Sequence, residues 1–225
     1  MRKVISFCVW GNKNIYNYGI YENALIIPKL FPDWSMIVYY TKTANLKVIN
    51  ELKKFNYVRC IECDLPNHYK NNMLRFLAGI DINYDIAIFR DADSRLIQRD
   101  VVAVNEWINS GKDIHILRDN YWNGIENRIS AGLWGVQREF LNKINFKEMF
   151  YNFITQNLKN EKTLDEIFLQ KFVYPHLNEN NSIIHSPFHK WENWAKNFPQ
   201  NAENISKGFC GQIIRNTPNA SKIFF

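Results

Sequence analysis

The sequence predicts an α/β fold, a mostly parallel, doubly wound central sheet with helices on both faces, in a single domain spanning all 225 residues. Three observations carry this. Apolar runs such as Val4 to Trp10 are continuous rather than alternating, the pattern of strands covered on both faces. Stretches with helical apolar periodicity separate these runs, as crossovers between parallel strands require. The fourth run leads directly into a pair of aspartates, at the strand end where open parallel sheets bind ligands.

The elements follow in order. Val4 to Trp10 is the first strand and ends in the turn Gly11-Asn12. Tyr16 to Leu30 places Ile20, Ala24, Ile27 and Leu30 on one helical stripe and stops before Pro32. A strand at Met36 to Tyr40, a helix from Ala44 to Phe55 and a short strand at Val58 to Glu62 complete β-α-β-α-β. Asn71 to Gly79 reads as a helix, and Ile86 to Phe89 as the fourth strand. A helix at Val101 to Asn109, a strand at Ile114 to Leu117, a polar aromatic loop from Arg118 to Asn123 and a glycine-containing strand from Ser130 to Val136 come next. Leu141 to Leu158 and Leu164 to Tyr174 are helical by periodicity, with Thr163 as N-cap of the second and Pro175 just past its end. Ile183 to Pro187 is a last short strand, and the Asn-, Trp- and Lys-rich remainder reads as loop.

Composition narrows the function classes. The 46% hydrophobic content, with only 9 Gly and 7 Pro, excludes disorder and collagen-like repeats. A net charge of +6 without a Lys/Arg run interleaved with aromatics argues against nucleic acid and towards small anionic ligands. Cys8, Cys60, Cys63 and Cys210 are irregularly spaced and read as free thiols, since the single C-x-x-C has no second pair. No signal-peptide core or membrane-length apolar stretch is present. The expected location is cytoplasmic, with peripheral contact at a membrane surface left open.

Asp91-Ala92-Asp93 is the sharpest chemical feature. Two carboxylates one residue apart in an extended segment point to the same side and together suit a hard divalent cation, Mn²⁺ or Mg²⁺, able to bridge a diphosphate. The competing reading is that they cap the next helix or pair with Arg90 and Arg95.

Several segments in order extend the motif: Met73-Leu74-Arg75-Phe76-Leu77-Ala78, Arg90 to Leu96, Asn105-Glu106-Trp107, His115 to Asp119 and Ala131-Gly132-Leu133-Trp134-Gly135. From Val4 to about Gly211 the chain resembles the nucleotide-sugar glycosyltransferases of GT-A fold, in the manner of small bacterial and large-DNA-virus enzymes. The resemblance implies a nucleotide-binding part over about residues 1–95 and an acceptor-side part over about 96–225. It implies transfer of a hexose or deoxyhexose from a nucleoside-diphosphate sugar, most readily a UDP-sugar, to a glycan or other hydroxyl acceptor, with inversion where Asp165 acts as a base and with retention, as in glycogenin-like enzymes, where it only stabilises an oxocarbenium-like state. The family's Asp-Gln stands here as Asp165-Glu166, and its later His-Asp as His185-Ser186.

On this reading Asp91, Asp93 and His185 are the metal ligands, with His189 as competitor for the third place. Cys8, Val9, Trp10 and Tyr18 cradle the base and ribose, and Arg75, Arg90 and Ala92 serve the rest of the donor. Asp165 and Asp119 are the catalytic carboxylates. Arg118, Ala131, Gly132, Glu166 and Trp134 face the sugar or acceptor, and Trp122, Trp191 and Trp194 offer further flat faces. Two other classes stay open: a haloacid-dehalogenase-type Mg²⁺ phosphatase, whose Asp-x-Asp normally follows the first strand, and a non-catalytic nucleotide-sugar or glycan-binding module. Release of nucleoside diphosphate, of inorganic phosphate, or of neither separates the three.

Overall fold

Seven strands form one sheet in the order β3-β2-β1-β4-β6-β5-β7, and only β6 runs against its neighbours. The computed structural model describes residues 1–66, 68–121, 126–156, 160–199, 202 and 208–224. The strands are β1 (Lys3–Val9), β2 (Trp34–Tyr40), β3 (Val58–Glu62), β4 (Ile86–Arg90), β5 (Ile114–Leu117), β6 (Leu133–Gln137) and β7 (Ser182–His185). The mostly parallel α/β sheet flanked by helices is the architecture expected from the sequence. No helix among the described residues is long and apolar enough to cross a membrane.

Continuous apolar runs are explained by two cores, one on each face of the sheet. Ile5, Phe7 and Val9 of β1, Met36 and Val38 of β2 and Ile86 and Ile88 of β4 enter one core. Their alternate neighbours, Val4, Ile37, Tyr39, Ala87 and Phe89, enter the other. β1, β2 and β4 therefore each remove both faces from water.

α1 (Asn14–Leu30) contains Pro28, which cannot donate to the Ala24 carbonyl one turn back. The Tyr57 hydroxyl donates to that carbonyl instead, at 2.9 Å. α2 (Leu46–Leu52) is shorter than its periodicity suggested because Asn45, not Ala44, caps it: the Asn45 side chain accepts from the Lys47 amide at 3.0 Å. The stretch read as a helix at 71–79 is a 3₁₀ turn over Tyr69–Phe76 followed by the four-residue α3 (Leu77–Ile80). Two of its carbonyls are drawn towards β1, accepting from Cys8 Sγ and Ser6 Oγ, which favours the tighter winding.

Beyond β4 come α4 (Gln98–Ser110), α5 (Arg138–Lys143), α6 (Phe146–Gln156) and α7 (Leu164–Phe172). The single helix expected over 141–158 is broken between α5 and α6, where Asn145 adopts φ 54°, a left-handed conformation that asparagine tolerates. Thr163 occupies the N-cap position of α7 without a side-chain capping bond.

The loop expected at the C-terminal end instead contains α8 (Pro218–Phe224). Its first turn is held by the Glu22 carboxylate, which accepts from the amides of Asn219 (2.8 Å) and Ala220 (3.0 Å). Phe224 stacks on Tyr18 at 5.6 Å between centroids and meets Tyr21 edge-on. Tyr18, expected at the nucleotide, is thus a core residue between α1 and α8.

The loop after β4 is positioned by α1. The buried Asn23 side chain donates to the Ser94 carbonyl at 2.8 Å and accepts from the Leu96 amide at 3.1 Å. One turn earlier, Gly19 lies so close to the Ala92 carbonyl that a Cβ would overlap it. Asn23→Ala leaves that carbonyl and amide without their partner and is expected to cost roughly 2 kcal/mol or more in urea unfolding. An unchanged midpoint would show that α1 does not fix this loop.

Candidate active site

Arg75 lies at the centre of the strand-end cluster. Its carbonyl accepts from Ser6 Oγ of β1 at 2.6 Å, which anchors the 3₁₀ turn against the first strand. Its guanidinium donates through Nη1 to Asp91 Oδ1, just past β4, and through Nη2 to Asp165 Oδ2 of α7 at 2.6 Å. The Arg75 side chain is 5% exposed and that of Asp165 6%, whereas that of Asp91 is 46% exposed. The pairing thus runs from the interior to the surface at the carboxyl ends of β1 and β4.

More carboxylates gather here than one arginine neutralises. Burial, then the neighbouring Asp91, pushes the Asp93 carboxyl above its usual range. Burial does the same to Asp165, against the pull of Arg75. Burial, then Asp165, raises Glu166, whose amide donates to Asp165 Oδ1 at 3.0 Å. Burial pushes the Cys8 thiol up to about 12, so it faces the cluster as a neutral group. Gly132 packs directly on the Asp91 carboxylate, and a Cβ at that position would occupy the same space.

The structure therefore brings Cys8, Arg75, Asp91, Asp93, Gly132, Asp165 and Glu166 together. Trp10 stands at the rim of the same strand end, its Nε1 donating to Asn72 Oδ1 at 2.8 Å and its ring edge-on to Tyr69. Val9 is in the core, Ala92 supplies the carbonyl against Gly19, and Ala131 is buried beside Gly132.

Other expected residues are engaged elsewhere. His185 is not brought to the aspartates: its Nδ1 shares a hydrogen with His115 Nε2 at 2.8 Å, and its Nε2 meets Glu106 Oε2 at 2.7 Å. Among the described residues no group of three or more His, Cys, Asp or Glu is arranged to hold a metal. His189 is stacked on Trp191, and Ser186 Oγ donates to the His189 carbonyl at 2.6 Å. Asp119 accepts from Arg99 Nε at 2.6 Å and the Cys210 amide at 2.9 Å, which ties α4 to the later chain. Arg90 pairs with Asp100 at 3.1 Å and donates to the Phe89 and Trp134 carbonyls. Arg118 is clamped by both oxygens of Glu192. Trp134 is fully buried and stacked on Phe89 at 4.4 Å, and Trp194 donates to Ser182 Oγ. Trp122 lies outside the described residues.

Sequence reasoning missed Tyr16 and residues 213–215. Burial, then Asp93 and Asp91, raises the Tyr16 phenol, on which the Arg215 charge also acts. The Ile214 amide donates to the Asp93 carbonyl at 2.8 Å, so the late chain borders the aspartate loop. A loop without periodicity carries no signal of this.

No family model matches the chain, and no curated protein matches it. Among solved structures it is similar to the mannosyltransferase PcManGT from Pyrobaculum calidifontis in complex with GDP-Man and Mn²⁺, with a TM-score of 0.50 and 10% identity over 63% of this chain and 46% of that one. Staphylococcal TarS 1-349 (S. aureus) in complex with UDP-GlcNAc gives a TM-score of 0.49 and 10% identity over 64% of this chain and 48% of that one. A 4-diphosphocytidyl-2C-methyl-D-erythritol synthase from Anaerococcus prevotii gives 0.47 and 9%, covering 74% of this chain and 84% of that one. This chain spans about half the length of the mannosyltransferase and TarS chains. With the mannosyltransferase it shares a fold.

Two outcomes test this geometry. Gly132→Ala is expected to lose about 1–3 kcal/mol of stability by displacing the Asp91 carboxylate, and to lose less in an Asp91→Ala background. Equal losses in both backgrounds would show that the two residues do not compete for space. For the histidines, burial, then His185, pushes His115 well below its usual value, and burial also lowers His185 despite Glu106. Both fold in the neutral form, so protonation favours the unfolded chain and stability falls as pH drops below about 6.5. Urea midpoints at pH 7.5 and 5.5 check this, and His185→Gln should reduce the difference while leaving the part due to His115.

Proposed function

We propose that the chain is a metal-dependent glycosyltransferase that moves a hexosyl or deoxyhexosyl group from a UDP-sugar to a glycan or other hydroxyl acceptor, with retention. The observation that carries the proposal is the Asp91–Arg75–Asp165 bridge at the carboxyl edge of the sheet, with Asp93 beside it. The similar mannosyltransferase, in complex with GDP-Man and Mn²⁺, supports it at the level of fold.

The donor set fits Mn²⁺ or Mg²⁺. Asp91 and Asp93 offer hard carboxylate oxygens close enough for each to act on the other, and such ions are commonly held by one or two carboxylates completed by substrate phosphates. When bound, the ion neutralises charge developing on the departing diphosphate.

The chain's own groups do the rest. Arg75 fixes the two carboxylates, its amino nitrogens donating to Asp91 and Asp165. Asp165, held in place by that guanidinium, stabilises positive charge at the anomeric carbon. Glu166, raised by burial and by Asp165, stands beside it with a carboxyl able to hydrogen-bond a sugar hydroxyl. Gly132 keeps the Asp91 side of the site free of a side chain. Residues 1–95 would hold mainly the donor and 96–225 the acceptor.

Asp91→Asn and Asp93→Asn are expected to reduce Mn²⁺-dependent release of UDP from UDP-sugars on the order of 100-fold or more, with folding retained by circular dichroism. Full wild-type activity in excess EDTA would sink the metal role. Release of inorganic phosphate in place of UDP would identify a phosphatase.

A further inference from the structure

The late chain crosses the aspartate loop as a strap fixed at both ends. At one end the Cys210 amide donates to Asp119 Oδ2 at 2.9 Å. At the other, Glu22 holds the first turn of α8 through the amides of Asn219 and Ala220. Between them the strap lies along the loop after β4. Ile213 bridges Ser94 antiparallel, the Ile214 amide donates to the Asp93 carbonyl at 2.8 Å, and Arg95 Nη2 reaches the Ile214 carbonyl at 3.5 Å. These contacts use the main chain of the strap, so the side chain at position 215 is not needed to hold it.

That residue is Arg215, which is exposed and, among the described residues, forms no ion pair. Its charge acts on the half-buried Tyr16 phenol of α1, on which Asp93 and Asp91 also act, so Tyr16 meets the cation and the aspartate pair together. Burial, then those aspartates, keeps the phenol in its protonated form, a hydrogen-bond donor. The rest of the cluster has little positive charge to give. Arg75 is bound to Asp91 and Asp165, and a divalent ion at Asp91 and Asp93 would bring the three carboxylates and the guanidinium into balance. A diphosphate entering there adds negative charge that calls for a further cation.

We infer that Arg215, together with the Tyr16 hydroxyl, is the subsite that binds the diphosphate of the donor; this rests on the transferase reading above. An exposed guanidinium on a fixed main chain can form paired hydrogen bonds to phosphate oxygens, and it stays charged at every working pH. Because the Ile214 amide is bonded to Asp93 itself, the strap carries this cation beside the proposed metal ligand. The phenol adds a donor without adding charge.

Calorimetry on the full chain with UDP, GDP, dTDP, CDP and inorganic pyrophosphate, each with Mg²⁺, tests the assignment. The unaltered chain should bind pyrophosphate and at least one nucleoside diphosphate. Arg215→Ala should weaken both about tenfold, Arg215→Lys should recover part of that loss, and Tyr16→Phe should weaken both about threefold, all with unchanged urea midpoints. Nucleoside diphosphate binding that Arg215→Ala leaves unchanged overturns the subsite while the transferase reading stands. A loss for the nucleotide with none for pyrophosphate overturns it too, by making Arg215 a contact of the base or ribose. So does an Arg215→Lys variant as weak as Arg215→Ala with a lowered urea midpoint, the mark of a structural role. Pyrophosphate bound through Arg215 in a chain that binds no nucleoside diphosphate and cleaves no nucleotide sugar keeps the anion subsite and removes the transferase. Binding of neither kind of ligand by the unaltered chain overturns both.

Discussion

A guanidinium withdrawn from water must be neutralised where it lies, and Arg75 is neutralised by two carboxylates that arrive from separate parts of the chain. Burial opposes its charge, while Asp91 and Asp165 hold it protonated beyond the ordinary range. The requirement fixes the relative placement of β1, β4, the 3₁₀ turn and α7. It also explains the nearby glycine, because Asp91 can reach Arg75 only if position 132 leaves room. Beside the pair of carboxylates that stabilises the arginine, burial and those same neighbours raise the carboxyls of Asp93 and Glu166.

Much of the fold was legible because parallel strands buried on both faces cannot avoid continuous apolar runs; Val58 to Glu62 and Ile114 to Leu117 were read to the residue. Failures came where side chains override periodicity. Asn145 breaks a helix that the apolar pattern would continue, and Ser6 and Cys8 draw on the carbonyls of the stretch read as a regular helix. α8 went unseen because a seven-residue helix has little periodicity, and what holds it is Glu22, almost two hundred residues away.

The site was legible in part for a related reason. Asp91, Asp93, Arg75, Asp165 and Glu166 were named from motif and resemblance, and the structure gathers them. Arg90, Arg118, Asp119 and His185 occupy strand ends too, yet each is taken up by an internal partner: Asp100, Glu192, Arg99 and the His115–Glu106 pair. A charged residue at the end of a buried strand looks alike in sequence whether it meets a ligand or a counter-ion. The partner decides, and the partners lie 10 to 79 positions away. Charges that fasten the frame outnumber those left for chemistry.

The 90-residue separation between Arg75 and Asp165 has a consequence during synthesis. As the chain leaves the ribosome, Arg75 and Asp91 emerge together and can pair early, with only a short loop to close. Asp165 follows only after α4, β5, β6, α5 and α6 have been made. Until α7 docks, the arginine has one of its two carboxylate partners, so a nascent chain stalled before α7 holds the aspartate loop with its charge balance incomplete.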